Sequence, residues 1–286
     1  MITALFCAVT AQNCYHAKEE SILLQKAFII QKEEIMKKII SSIIAAAALT
    51  AAAAAQTVLK VGATPEPHAE ILKLVKEDLA AQGIKLEVVE FTDYVTPNKA
   101  LDAGDIDANY FQHLPYMESF NKENGTKLVN AGGIHIEPIA LYSKKVKKLA
   151  DLKKKASIAI PNDPTNEGRA LLLLQSAGLI TLKDGAGLEA TIFDIKKNPL
   201  KLKFREIEAA SLPRVLDDVD AAVINGNYAI PAGLNASKDG LVVEGADSPY
   251  VNVIAVNAGH ENEKAIKALV KALQSDTVKS WIKSRY

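Results

Sequence analysis

From Thr57 onward, short apolar runs alternate with stretches whose apolar residues recur at helical spacing, and this alternation constrains the fold most. Thr57–Ala63 (TVLKVGA) reads as a buried strand. Residues 68–82 place Ile71, Leu72, Leu74, Val75 and Leu79 on one helical stripe, with Gly83 as a stop. Residues 85–90 form a second strand, 98–103 a short helix closed by Gly104, and 106–111 a third strand. The pattern then repeats: strand 157–160, helix 166–176, strand 201–206, helix 209–216, strand Ala221–Ile224. Such alternation predicts parallel sheets covered by helices, not a bundle or an all-β sandwich. The extended apolar segments 136–142 and 251–256 read as crossings between two lobes, and 261–273 and 276–283 as amphipathic helices. The expected architecture is therefore two α/β lobes, residues 57–141 with 247–286 forming one and 142–246 the other.

What precedes Thr57 reads as a targeting segment. Lys37 and Lys38 are followed by an Ala-rich apolar run over 39–55, and Ala53-Ala54-Ala55 offers a cleavage site before Gln56. The run falls short of the roughly 20 strongly apolar residues that a bilayer span needs. A signal peptide over 36–55 makes Met36 the expected start of translation, with 1–35 an upstream extension. Both cysteines, Cys7 and Cys14, fall before the expected cleavage site. That excludes a disulfide framework and a cysteine-ligated zinc site in the body of the protein. The whole chain carries 34 basic and 34 acidic residues; removing five lysines and four glutamates with residues 1–55 leaves 29 and 30. A charge so close to zero gives no electrostatic footprint for nucleic acid.

Open α/β sheets place ligands at the carboxyl ends of their strands. At those ends lie Ala63–His68 (ATPEPH), 109–116 (NYFQHLPY), 161–169 (PNDPTNEGR) and 225–228 (NGNY). Asn162, Asp163 and Asn166 suit turn and N-cap positions. Tyr110, Phe111 and Tyr116 fit either a core or a pocket; three aromatics with His113 within seven residues at a strand end favour a pocket wall. Arg169, read in the first turn of its helix, opposes the helix dipole unless an anion offsets it, and a guanidinium grips a carboxylate bidentately. Asn225 and Asn252 sit at the expected lobe junctions, where they could bond the charged groups of an amino acid.

Enzyme motifs are sparse. The GAGLEA segment at 185–190 matches the dinucleotide fingerprint but follows a helical stretch. His68 with Glu70 and His135 with Glu137 form H-x-E pairs that lack a standard zinc spacing, so neither metal nor cofactor is expected.

The segments VGATPEPHAEIL, VEFTDYVTPNKALDAGDIDANYFQHLPYM, IEPIALYS, IAIPNDPTNEGRAL, LPRVLDDVDAAVINGNYA and SPYVNVIAV lie in collinear order across nearly all of the chain after Gln56. In these the sequence resembles the NlpA-type periplasmic methionine-binding proteins, substrate-binding components of methionine ABC importers. The resemblance implies a type II periplasmic binding fold closing over L-methionine, a membrane permease as partner, and no catalysis. It implies an aromatic wall of Tyr94, Phe111, His113 and Tyr116, a carboxylate partner in Arg169, and a polar end completed by Asn225 and Asn252. Other readings are another amino acid, a methionine-containing dipeptide, or a metal-dependent periplasmic enzyme. Family members are lipid-anchored through a cysteine at the cleavage site; here that place reads Ala-Ala-Ala-Gln-Thr, which predicts a freely diffusing periplasmic form.

Overall fold

The computed structural model describes residues 56–245 and 247–285, together with Lys32, Met36 and Lys37. The upstream-extension and signal-peptide readings fall, apart from those three positions, outside the described residues. From Thr57 the chain runs β1 (Thr57–Ala63), α1 (Glu70–Leu74), α2 (Lys76–Ala80), β2 (Ile84–Glu90), α3 (Thr96–Asp102), β3 (Ala108–His113), α4 (Leu114–Asn124) and β4 (Leu128–Ile136). It continues through β5 (Ala140–Tyr142), β6 (Ser157–Pro161), α5 (Pro164–Ser176), the short pair β7 (Thr181–Leu182) and β8 (Ile195–Lys197), β9 (Lys203–Ile207) and β10 (Ala221–Ile224). Last come α6 (Gly226–Ala229), α7 (Ala236–Asp239), β11 (Gly240–Val243), β12 (Val251–Asn257), α8 (Lys264–Leu273) and α9 (Asp276–Arg285).

Two five-stranded sheets result, in the orders β2-β1-β3-β12-β4 and β11-β5-β10-β6-β9. Each has four strands in one direction and one against them: β2, β1, β3 and β4 against β12, and β11, β10, β6 and β9 against β5. The parallel strands follow from the strand–helix alternation. The antiparallel members come from the later crossings. Every residue of β3 and β10 is buried, as expected for central strands covered on both faces.

Alternation across each sheet sorts the side chains into separate cores. In the first sheet Leu59, Val61 and Ile254 pack with Ile71, Leu72 and Leu269 on one face, while Phe111, Val253 and Ala255 pack with Tyr116 and Phe120 on the other. In the second, Ile158, Ile160 and Val223 face Leu171 and Leu174, and Ala159, Ala222 and Ile224 face Leu212 and Leu216.

Several elements differ from the sequence reading. The helix expected over 68–82 is broken into a wide turn (Pro65–Ala69), α1 and α2, with Val75 between them at φ −96°, ψ 2°. Segment 251–256 is no crossing: β12 is an inner strand of the first sheet, paired to both β3 and β4. The return crossing lies just before it, between β11 and β12. The outward crossing is narrower than 136–142: β4 ends at Ile136, and Ala140–Tyr142 is already β5 of the second sheet, with Ala140 paired to Ile224. Helix 209–216 is a 3₁₀ segment, Ala209–Val215, containing Pro213. The GAGLEA segment does follow a strand, β7, but opens no helix. It crosses α5 where a Cβ on Gly168 would lie 2.1 Å from the Leu188 carbonyl oxygen, so only glycine admits that crossing.

Candidate functional site

The carboxyl ends of β1, β3, β4, β6, β10 and β11 and the amino end of the antiparallel β12 come together between the two sheets. A cavity of about 330 Å³, counting its opening to solvent, lies there. All seven residues expected to bind a ligand line it: Tyr94, Phe111, His113, Tyr116 and Asn252 from the first sheet's side, Arg169 and Asn225 from the second's. Gln112, Glu137, Asn166 and Asn227 also line it, and the sequence does not single them out for that role.

The first half is an aromatic wall. Tyr94 lies 5.9 Å from Phe111, 5.8 Å from Tyr116 and 5.0 Å from Tyr228, centroid to centroid. The Tyr116 hydroxyl donates to the Tyr94 carbonyl at 2.8 Å, locking two rings against each other. Burial pushes both phenols above their ordinary range, so each stays a neutral donor. Behind the wall, Asn98, Asn109 and Gln112 form a closed amide cluster, with Gln112 and Asn98 exchanging bonds of 2.8 and 2.7 Å. This network fixes β3 and thereby the directions of Phe111 and His113.

His113 joins the halves. Its Nδ1 caps α4 by accepting from the Tyr116 amide at 3.1 Å, and its Nε2 faces the Asn166 side-chain oxygen at 3.2 Å. Only the neutral tautomer with hydrogen on Nε2 satisfies both. Burial, aided by the charge of Arg169, drives its pKa down to about 3. Two further bonds span the cleft: Tyr94 Oη donates to Asn227 Oδ1 at 2.6 Å and Tyr228 Oη to the Thr92 carbonyl at 3.2 Å.

The second half is polar. Pro164 opens α5 and Asp163 caps it, accepting from the Asn166 amide at 3.0 Å, as N-cap preferences dictate. The Asp163 carboxylate also takes the Asn166 side-chain amide, turning the Asn166 oxygen toward His113 and Asn225, which donates to it at 2.7 Å. Among the described residues three buried side-chain atoms lack a partner: Asn225 Oδ1, Asn227 Nδ2 and Tyr250 Oη. Buried polar atoms are seldom left unmatched, and two of these three, on Asn225 and Asn227, belong to residues that line the cavity.

Arg169 is 3 % exposed and lines the cavity, but it lies in the second turn of α5 because the helix begins at Pro164. The dipole argument therefore loses its force. Nor does the guanidinium lack an anion within the protein. Nε donates to Glu244 Oε1 at 2.9 Å, and Nη2 bonds Glu244 Oε2 and the Glu137 carbonyl, the latter at 2.7 Å. The Tyr250 ring lies 4.4 Å from the guanidinium carbon. Among the described residues Nη1 has no hydrogen-bond partner. Glu244 has no signal in the sequence, since it lies 75 positions from Arg169.

Glu137 separates this cavity from a second one, which it lines with His135 and Pro67. Both H-x-E histidines reach it. Glu137 Oε1 lies 3.0 Å from His68 Nε2 and 2.9 Å from His135 Nε2, so the partner missing within each sequence pair comes from the other. Burial alone would raise the Glu137 pKa; the two imidazoles outweigh it and hold the group well below the ordinary carboxylate range. Burial lowers His135 against the pull of Glu137. A Cβ on Gly226 would sit 2.9 Å from Glu137 Oε2, so glycine there lets α6 approach this carboxylate.

Two α/β halves that close a mixed aromatic and polar cavity between their strand ends define a substrate-binding protein of the periplasmic type. The relatives agree. The chain belongs to the NlpA lipoprotein family, whose model matches residues 59–286. The membrane lipoprotein TpN32 of Treponema pallidum is 48% identical over 226 residues, 79% of this chain and 84% of that protein. The D-methionine-binding lipoprotein MetQ of Salmonella typhimurium is 50% identical over 220 residues, 76% of this chain and 80% of MetQ. A nutrient binding protein from Burkholderia cenocepacia, solved bound to methionine, superposes with a TM-score of 0.77 at 52% identity, covering 80% of this chain and 96% of its own.

Proposed function

We propose that this protein captures methionine in the cavity between its two sheets and hands it to the membrane permease of an ABC importer, without catalysing a reaction. The observation that carries this reading is the pairing of an aromatic wall on one half with buried, unpartnered amide atoms of Asn225 and Asn227 on the other, all lining one cavity. A methionine zwitterion has the same division. Its thioether gains about 0.3–1.5 kcal/mol from each aromatic contact, against Tyr94, Phe111 and Tyr116. Its ammonium needs acceptors such as Asn225 Oδ1, and its carboxylate needs donors such as Arg169 Nη1 and Asn227 Nδ2.

In this reading β1–β4 with β12 and the helices after it form one lobe and β5–β11 the other, so the first boundary falls between Ile136 and Ala140 rather than after 141. The hinge lies in the crossing from β4 to β5 and in the return before Asn252. The halves part to admit ligand and then remake the Tyr94–Asn227 and His113–Asn166 bonds. Export by the signal peptide over 36–55, with cleavage before Gln56 and no cysteine to lipidate, delivers a diffusing form to the periplasm.

Mass spectrometry of small molecules released by denaturing the purified protein tests the ligand directly. Methionine is expected, with calorimetric binding of free L-methionine to the emptied protein. D-methionine and methionine dipeptides, titrated alongside, set the stereochemical and length preference. Release of a different amino acid, with no heat from methionine, would reject the assignment.

A further inference from the structure

We propose that His68, His135 and Glu137 form a binding site for one divalent transition-metal ion of the zinc type, adjoining the amino-acid cavity, whose lining shares Glu137. The three side chains come from the turn after β1 and the end of β4, non-adjacent strands of the same sheet. Their candidate ligand atoms lie within 4.8 Å of one another. Both imidazoles turn Nε2 toward the same carboxylate oxygen, at 3.0 and 2.9 Å, and His68 Nε2 also faces Asn252 Oδ1 at 3.1 Å, a contact that the ion would replace. Ligand atoms held about 2.0–2.1 Å from a tetrahedral zinc are themselves about 3.3 Å apart, so small side-chain adjustments would admit the ion.

The surroundings are those a metal site requires. Each ring is oriented through its far nitrogen: His68 Nδ1 by Thr64 Oγ1 at 2.7 Å, His135 Nδ1 by Tyr110 Oη at 2.5 Å. Hydroxyls can accept as well as donate, so both rings can take the Nδ1–H tautomer that frees Nε2 for a metal. Thr64, His68 and Tyr110 are fully buried, which makes the arrangement rigid. Access exists through the second cavity, lined by His135 and Glu137. Two imidazoles and one carboxylate suit zinc and its neighbours rather than calcium or magnesium, and three protein ligands leave a fourth place for water.

The alternative is a purely hydrogen-bonded cluster in which both Nε2–H groups donate to Glu137. Calorimetric titration of zinc into chelator-treated, untagged full-length protein separates the two, with elemental analysis after desalting. One retained zinc per chain is expected. Glu137→Gln preserves volume and an acceptor oxygen while removing the anionic ligand, and is expected to weaken zinc binding at least about 100-fold, beyond the 10–100-fold cost of losing an outer-shell partner. His135→Ala is expected to do the same, with circular dichroism reporting whether each variant is folded. His260→Ala removes an exposed histidine paired to Glu263 and is expected to leave zinc binding unchanged. No retained zinc, or zinc held equally by folded Glu137→Gln, or zinc lost only on His260→Ala, would overturn the site. None of these readouts depends on the identity of the amino-acid ligand.

Discussion

On the first sheet's side of the cavity, Tyr94, Phe111 and Tyr116 touch one another ring to ring and rest on the core of Leu101, Met117 and Phe120. On the second sheet's side, buried Asn166, Arg169 and Asn225 are placed by hydrogen bonds and an ion pair, with Arg169 also stacked on the Tyr250 ring. Phe111 and Tyr116 keep their packing within the first half, while Tyr94 and His113 also reach across the cleft to Asn227 and Asn166. The second includes donors and acceptors satisfied only when the halves meet, such as Asn227 Oδ1 with Tyr94. An apolar wall gains its energy from area and can be complete before a ligand arrives. A polar wall is directional, and each unmatched atom inside it is costly.

The largest break in that contrast is Arg169→Ala. It strands Glu244, which is only 14 % exposed, so the variant is expected to lose about 3–5 kcal/mol of stability as well as its ligand affinity. Denaturant unfolding beside calorimetry checks both, and unchanged stability would mean that Glu244 finds water instead. The sequence alone, in which Arg169 has no partner within the chain, predicts that the fold survives this change intact.

A second break comes with acid. His113 titrates near 6.5 when unfolded and at about 3 when folded, so between those values the unfolded chain holds a proton that the native one refuses. Stability from this residue is whole above pH 6.5 and drains away as pH falls toward 3, by about 2 kcal/mol at pH 5. In His113→Asn the loss between pH 7 and pH 5 is expected to shrink by that amount in urea titrations. An equal loss in both proteins would remove His113 as the joint between the halves.

The finest probe is Tyr94→Phe. It keeps the ring in the wall and removes only the bond to Asn227, so stability should barely change while ligand affinity falls about fivefold, near 1 kcal/mol. If affinity is unaltered, the cross-cleft bond contributes nothing to closure.

The same contrast explains which parts of the site are legible in the sequence. The aromatic cluster is visible there because Phe111, His113 and Tyr116 sit within six residues at a strand end, and local crowding of such side chains shows in one dimension. Asn225 and Arg169 can be nominated by position, but not their partners. Asn166 reads as a turn residue, which it also is, since Asp163 caps the helix through its amide. Glu137 and Glu244 give no sign of their roles, and two separate H-x-E pairs give no sign of one cluster. Segment 251–256 reads wrongly as a crossing because a central strand buried on both faces and an apolar crossing have the same composition.

By itself the sequence determined the strand–helix alternation, hence two covered sheets, and put the candidate ligand groups at strand ends. Those features depend on residues close in the chain, whose spacing and chemistry act locally. Tertiary structure alone decided that Glu244 would neutralise Arg169, that His68 would meet His135 across two intervening strands, and that β12 would complete the first sheet. Such pairings depend on which strand ends the topology brings together, and that order is fixed by the packing of whole sheets.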